Sequence, residues 1–151
     1  MEMVKKVMIA LDFSEHSDFA RAFASDLLHT LGTEIVLLNV INRIEVKAIQ
    51  KISDKLDTLS IEDYIKDQEK ERSEKMEQLI SDLKIEDFSY KILVRHGIPF
   101  EEILKVISEE KIDLLILGTK GRSKLADLFL NPTSEQIFRH CTIPVLNLPI
   151  K

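Results

Sequence analysis

The sequence has a single cysteine, Cys141, and no long apolar run. One cysteine cannot form a disulfide within the chain, and sparse cysteine is typical of proteins of the reducing cytoplasm. No apolar stretch is long enough to cross a bilayer, and residues 1–6 lack the pattern of a secretory signal. We therefore expect a cytoplasmic protein that does not span a membrane, in which Cys141 is a small apolar side chain.

Positive charge is scarcer than negative charge. The 21 lysines and arginines stand against 26 aspartates and glutamates, which gives a net charge of −5. Nucleic acids and anionic membranes attract an excess of positive charge, so neither is expected as the main partner. A hydrophobic content of 44% is typical of a globular protein with a core, and 151 residues predict one domain spanning residues 1–151.

The common motifs of nucleotide binding and catalysis are also missing. The sequence has neither Gly-x4-Gly-Lys-Ser/Thr nor Gly-x-Gly-x-x-Gly, and it has no Gly-x-Ser-x-Gly. Its four histidines are not spaced as metal ligands. A hydrolase triad and a histidine metal site therefore have no support.

What is present is a regular alternation of apolar strands and amphipathic helices. The pattern predicts strands at residues 4–11, 34–41, 88–95, 112–117 and 143–149, and helices at residues 15–31, 100–110 and 133–140. Residues 42–83 are polar and predict a loose segment followed by a long, partly solvated helix. Because several strands are apolar on both faces, we predict an α/β fold: an open, doubly wound, five-stranded parallel sheet with helices on both faces.

A ligand of such a sheet would bind at the carboxyl ends of the strands, where the strand order reverses. This rule selects the loops after Leu11, Val40 and Leu117. Asp12 lies in the first of these loops and has two interpretations. It is either a helix-entry acid stabilised by the helix dipole, or a carboxylate that faces a nucleotide directly or through a divalent cation.

The third of these loops contains glycines. Gly118-Thr-Lys-Gly121 is followed, after nine residues, by Asn131-Pro-Thr-Ser134 at the start of the predicted last helix. Glycines allow close approach of the backbone to phosphates, and a helix start offers N–H groups to an anion. Gly-x-x-Gly alone is a weak signal, and a tight strand-to-helix turn explains it more often than a phosphate site does. Lys120 is either a solvated lysine or a counter-charge to phosphate.

Together these segments resemble the universal stress protein family over the whole chain. The resemblance rests on the order and spacing of five segments: Ile9-Ala-Leu-Asp12-Phe-Ser-Glu-His-Ser17, Val36-Leu-Leu-Asn-Val-Ile41, the two segments of the preceding paragraph, and Ile143-Pro-Val-Leu146. It implies an adenine-nucleotide-hydrolase-like α/β fold and a small regulatory protein of the stress response. It also implies a homodimer that pairs its last strands, here from Val145 to Ile150.

Some members of this family bind ATP, with Mg or Mn. Carried over to this chain, the resemblance implies a nucleotide site made of Ala10, Leu11, Asp12, Val40, Leu117, Gly118, Lys120, Gly121, Asn131, Thr133 and Ser134. Asp12 and the backbone of Ala10 and Val40 would face the adenosine. The glycine loop would line the ribose and phosphates, and Thr133 and Ser134 would donate to the phosphates. No base or nucleophile is positioned, so at most slow ATP hydrolysis is expected.

Two positions depart from the family's pattern. Asn131 replaces a glycine, and Pro132 replaces a serine or threonine, which removes one N–H and one hydroxyl. Helix initiation also explains this cluster, with Asn131 as N-cap before Pro132, or with Thr133 as N-cap in a capping box with Gln136. Two hypotheses follow: an adenine-nucleotide-binding regulatory dimer, and a nucleotide-independent dimeric interaction module that has lost the ATP site.

Overall fold

The protein is described by a computed structural model at residues 3–11, 18–56, 60–119 and 132–149. In these ranges β-strands and α-helices follow one another along the chain. The elements are β1 (Lys6–Leu11), α1 (Asp18–Leu31), β2 (Glu34–Asn42), α2 (Arg43–Ser53), α3 (Ile61–Asp82), β3 (Tyr90–Gly97), α4 (Pro99–Glu110), β4 (Leu114–Thr119), α5 (Pro132–His140) and β5 (Val145–Pro149). Within these ranges, none of the helices combines the length and apolarity that crossing a bilayer requires.

The five strands form one parallel sheet in the order β3-β2-β1-β4-β5. The chain builds outward from β1 to β2 and β3, then returns to the other side of β1 with β4 and β5. The strand order therefore reverses between β1 and β4, which is where an open α/β sheet forms its ligand crevice. The predicted parallel α/β sheet is confirmed. Its two edge strands are β3, in which polar and apolar residues alternate, and β5, which has a proline before it and a proline at its end.

Helices cover both faces of the sheet, as the apolar strands predicted. On β2, Leu37 and Leu38 are both fully buried, although neighbouring residues of a strand point to opposite faces. Leu37 packs in a cluster with Leu28 of α1 and Met76 of α3, whereas Leu38 packs in a second cluster with Val106 of α4. The sheet is thus a central layer between two apolar cores, and Cys141 packs at the margin of the second.

Helix α2 was not predicted. The sequence suggested a loose segment after residue 41, but Asn42 caps a helix there, since its Oδ1 accepts a hydrogen bond from Ile44 N at 3.0 Å. Only Val46 of this helix is buried, and Ile44 remains 75% exposed. The segment is amphipathic, with its apolar residues on one broad face, so the helical period was present in the sequence and the prediction of a loose segment there was wrong. The long helix predicted after it is confirmed as α3, which Ser60 caps.

Glu110 ties the end of α4 to two strands. Its carboxylate accepts hydrogen bonds from Lys91 Nζ of β3 at 3.0 and 3.3 Å and lies 3.5 Å from Lys6 Nζ of β1. The hydrogen bond from Lys91 is the main cause that lowers the pKa of Glu110, and the positive charges of Lys91 and Lys6 add to it against a smaller opposing effect of burial. The ionised form of Glu110 is therefore favoured in the folded state.

We expect Glu110→Gln to lower the free energy of unfolding at pH 7 by at most about 1 kcal/mol, because these ion pairs are partly solvated. A carboxyl whose pKa is lowered by folding stabilises above its unfolded pKa, and that stabilisation disappears as pH falls through the folded pKa. The variant and the parent should therefore converge in acid. Urea unfolding at a series of pH values from neutral to acid measures the difference in free energy of unfolding between variant and parent. The exposed Glu69→Gln is the control. A difference that persists in strong acid would contradict the ionic origin.

Candidate functional site

Four of the predicted site residues meet at the carboxyl edge of the central strands. Ala10 of β1 pairs in register with Leu117 of β4, and Leu11 pairs with Asn39 of β2, one residue before Val40. This edge includes the point where the strand order reverses. The prediction that these segments converge is therefore correct for Ala10, Leu11, Val40 and Leu117.

The side chains of these four residues serve the cores. Ala10 and Leu117 are buried in the cluster that faces α4 and α5, and Val40 packs against that cluster. Leu11 is buried in the cluster on the other face. At these four positions, therefore, only backbone N–H and C=O groups are left to contact a ligand. The backbone of Gly118 continues β4 beside Leu148 of β5.

Helix α5 begins at Pro132, one residue earlier than predicted. Proline is well suited to the first helical position, because the N–H that it lacks would have no partner within the helix. Thr133 lies inside the first turn, so the alternative with Thr133 as N-cap is wrong. Thr133 and Ser134 are half-buried at the helix start, where backbone N–H groups have no acceptor of their own within the helix.

The other predicted site residues lie outside the described residues. These are Asp12, Lys120, Gly121 and Asn131. Their positions follow only from connectivity: Asp12 comes directly after Leu11, and Asn131 directly precedes α5. Their assignment to the site therefore stays a prediction.

A buried polar residue that was not predicted as part of the site lies at the same edge. Asn39 is 3% exposed, and its Nδ2 donates a hydrogen bond to the Leu11 carbonyl at 2.7 Å. Its Oδ1 accepts from Nη1 of Arg72 in α3 at 2.9 Å. An asparagine within the otherwise apolar run of β2 was a signal, because a buried amide needs partners. The identity of the partner was not readable, since Arg72 lies 33 residues away in sequence.

Arg72 is held by acceptors on two helices besides Asn39. Nη2 donates to Glu45 of α2 at 3.0 Å, and Nε donates to Gln68 of α3 at 3.1 Å. Burial, and after it the neighbouring carboxylate of Glu45, raise the pKa of Tyr64. Asn39, Arg72, Glu45 and Gln68 form one connected group, which we call the Arg72 network.

The described part of the chain contains no group of three or more His, Cys, Asp or Glu side chains that could hold a metal ion. His29 has a structural environment, with Nε2 2.9 Å from the Lys84 carbonyl and its ring edge-on to Phe88 at 5.2 Å.

An open depression of about 690 Å³ lies at the amino ends of the strands, lined in part by Lys5, Thr33 and Asp113. It is at the opposite end of the sheet from the predicted site.

The fold belongs to the class of open, doubly wound α/β sheets. Proteins of this class bind their ligands at the carboxyl ends of the strands, where the strand order reverses. The sequence profile of the Universal stress protein family matches residues 3–149 of this chain. The chain therefore belongs to the universal stress protein family, as the resemblance of its segments predicted.

Individual relatives agree in sequence and structure. Universal stress protein MJ0577 of Methanocaldococcus jannaschii is 28% identical over 152 residues, covering 95% of this chain and 94% of the relative. Its solved structure superposes with a TM-score of 0.74 at 28% identity over 99% of this chain and 98% of that chain.

Two solved structures of more distant relatives contain adenine nucleotides. A universal stress protein in complex with cAMP has a TM-score of 0.63 at 16% identity over 98% of each chain. A universal stress protein from Archaeoglobus fulgidus in complex with dAMP has a TM-score of 0.59 at 15% identity over 99% of each chain. At these identities the two structures support the shared fold.

Proposed function

We propose that this protein is a regulatory protein of the stress response that binds ATP or a related adenine nucleotide. The observation that carries the proposal is the convergence of the Ala10, Val40 and Leu117 backbones at the reversal of strand order. The complexes of family members with cAMP and dAMP support an adenine nucleotide as the ligand class.

In the proposed site, Asp12 and the ends of β1 and β2 receive the adenosine. Gly118, Lys120 and Gly121 follow β4 and line the ribose and phosphates, with Mg or Mn as the counter-ion of ATP. Thr133 and Ser134 donate to the phosphates from the first turn of α5, where the helix dipole favours negative charge. No catalytic residue is proposed, so any hydrolysis of ATP is slow.

One observation favours a second function. Because α5 begins at Pro132, the first position of this helix lacks an N–H for a phosphate. A chain with this helix start would work as a nucleotide-independent dimeric interaction module that keeps the fold. We rank this function second, because it leaves the backbone groups at the strand reversal without a role.

We also propose that the single domain acts in the cytoplasm as a homodimer through β5. This strand lies at the edge of the sheet and pairs with β4 on one side, so its other side offers backbone groups to a further strand. A second copy pairing along Val145 to Pro149 would cover that edge. Sedimentation equilibrium measures the dimer independently of nucleotide.

The experiment on nucleotide binding uses the weak intrinsic absorbance of the chain, which has no tryptophan and two tyrosines. We expect the purified protein to carry excess absorbance near 260 nm, or, once stripped, to bind Mg-ATP in calorimetry. Asp12→Ala should weaken that binding by about tenfold or more, since it removes a hydrogen bond with a charged partner. Asp87→Ala, an exposed carboxylate before β3, is the matched control and should leave it unchanged. A flat titration at millimolar ATP without bound nucleotide would sink the proposal.

A further inference from the structure

We propose that the exposed side of α2 is a docking surface for an amphipathic helix of another protein that carries acidic residues beside its apolar stripe. The surface consists of two rows of side chains, one apolar and one basic, between residues 43 and 56, and we call it the α2 face. No residue of the α2 face belongs to the predicted nucleotide site, so the proposal does not depend on nucleotide binding.

The apolar row repeats every four residues along α2. Residues four apart in a helix lie one above the other, so this spacing makes the row continuous. Its large members are exposed, Ile44 at 75%, Ile52 at 47% and Leu56 at 52%, and exposed Ala48 lies between the first two. Leu56 follows the end of α2, but its N–H still bonds to the Ile52 carbonyl at 3.1 Å, which continues the helical spacing. The row is about 18 Å long.

The fold covers only part of the apolar side of α2. Val46 is buried, whereas the apolar row faces solvent. Among the described residues seven large apolar side chains are exposed, and three of them lie in this one row. Single exposed apolar side chains are ordinary, but a contiguous row bordered by charge is typical of a surface that binds a partner.

A row of positive charge runs beside the apolar row. It repeats at the same interval and consists of four exposed side chains: Arg43, Lys47, Lys51 and Lys55. None of the four forms an ion pair with another described residue. The chain as a whole has a net charge of −5, so this row is a local reversal of sign. Such a row attracts a partner of negative charge.

Helix α2 is anchored well enough to present both rows. Asn42 caps its first turn, and Glu45 accepts a hydrogen bond from Arg72 of α3 at 3.0 Å within the Arg72 network. The carboxylate of Glu45 is thereby engaged, and the other acid between residues 43 and 56, Asp54, lies at the C-cap. A surface that is formed before binding loses little conformational freedom when a partner docks.

The two rows together specify the chemistry of the partner. A helix laid along α2 would place apolar residues at three- and four-residue spacing on the apolar row, and acids on one side of that stripe would face the basic row. A second copy offers no such complement, because no other helix in the described part of the chain exposes more than one large apolar side chain. Contact of α2 with α2 would also oppose two positive rows. The net charge of −5 disfavours an anionic bilayer.

The test uses a fluorescein-labelled helical peptide of about 18 residues, the length that spans the α2 face with a margin. Its leucines repeat at three- and four-residue intervals, with glutamates along one side of them, and a second peptide has the same composition in scrambled order. Fluorescence anisotropy at 0.15 M salt measures binding to the full chain. Circular dichroism checks that each variant is folded.

Three double variants are compared with the parent, and all six substituted side chains are exposed. Lys47→Glu with Lys51→Glu reverses the charge of the basic row, and Ile44→Ser with Ile52→Ser interrupts the apolar row. The control, Lys66→Glu with Lys70→Glu, makes the same charge change at the same spacing on α3. These two lysines stand two positions from Gln68, whose side of α3 faces Arg72 and α2, so they point away from the α2 face.

We expect the parent to bind the ordered peptide in the micromolar range, as is usual for a small, transient interface, and the scrambled peptide at least about tenfold more weakly. Reversing Lys47 and Lys51 should weaken binding by about tenfold or more, and replacing Ile44 and Ile52 by about tenfold. The control should stay within about threefold of the parent, because salt screens distant surface charges.

No binding of the ordered peptide by the parent at millimolar concentration, or equal loss in the control and the Lys47→Glu, Lys51→Glu variant, would overturn the proposal. Two further measurements address the other occupants. Vesicles of phosphatidylserine and phosphatidylcholine that bind the parent when the peptide does not would assign the α2 face to a membrane. Weaker self-association of the Ile44→Ser, Ile52→Ser variant in sedimentation equilibrium would assign it to a second copy. Either result also contradicts a helical partner.

Discussion

Replacing Asn131 with glycine and Pro132 with serine is expected to tighten ATP binding by at least about a hundredfold. The serine restores one N–H and one hydroxyl at the start of α5, and glycine is the residue that the family's pattern has at position 131. A hydrogen bond to a charged group contributes roughly 1.5–3 kcal/mol, so two of them correspond to two to four powers of ten in affinity. Calorimetry with Mg-ATP on the parent and the double variant measures the gain.

Two single changes divide this effect into its parts. Pro132→Ala restores the N–H without the hydroxyl and should give an intermediate gain, whereas Asn131→Gly alone should give a small one. Unchanged or weaker affinity in the double variant would show that this helix start does not limit binding. The interaction module without nucleotide would then become the better proposal.

Leu37→Ala and Leu38→Ala are each expected to lower the free energy of unfolding by about 2–5 kcal/mol, the usual cost of removing a buried leucine side chain and leaving a cavity. The two residues are neighbours on β2, are fully buried, and point to opposite faces of the sheet. In a sheet with one face in water, one of the two changes would be mild. Here helices cover both faces, so both should be severe.

Chemical denaturation of the two variants tests this expectation, with Ile44→Ala of α2 as the control. Ile44 is also a large apolar residue, but it is 75% exposed, so its replacement should change stability by no more than about 0.5 kcal/mol. We expect a large loss of stability in each of the two leucine variants and a small one in Ile44→Ala. A small loss at either leucine would mean that one face of β2 is not packed as described.

The elements that could be predicted are those whose buried residues form a clear apolar pattern in the local sequence. Strands β1 and β2 are apolar on both faces, and α1 and α4 carry clear apolar stripes, so the alternation and the parallel sheet followed. Helix α2 also has an apolar face at helical spacing, but it is short and lies in a polar region whose composition fits a surface loop as well. Its capping residue, Asn42, was the better signal.

The site was predictable only to the extent that topology determines it. The convergence of Ala10 with Leu117 follows from a general property of parallel sheets, and the register of β1 and β4 confirms it. The pairing of Asn39 with Arg72 depends on where α3 crosses the sheet, and no local pattern encodes that crossing. A polar residue in an apolar strand signals that a partner exists without telling which residue it is.

The central position of β1 also has a consequence for synthesis of the chain. One edge of β1 pairs with β2 soon after both are made, but the other edge waits for β4, about 100 residues later in the chain, which takes roughly 5–20 s at ordinary rates of translation. During that time an apolar strand carries an unpaired backbone edge, the kind of surface that pairs with other chains. A truncated or stalled chain that ends before Leu114 is therefore the form of this protein most prone to aggregate and most dependent on chaperones.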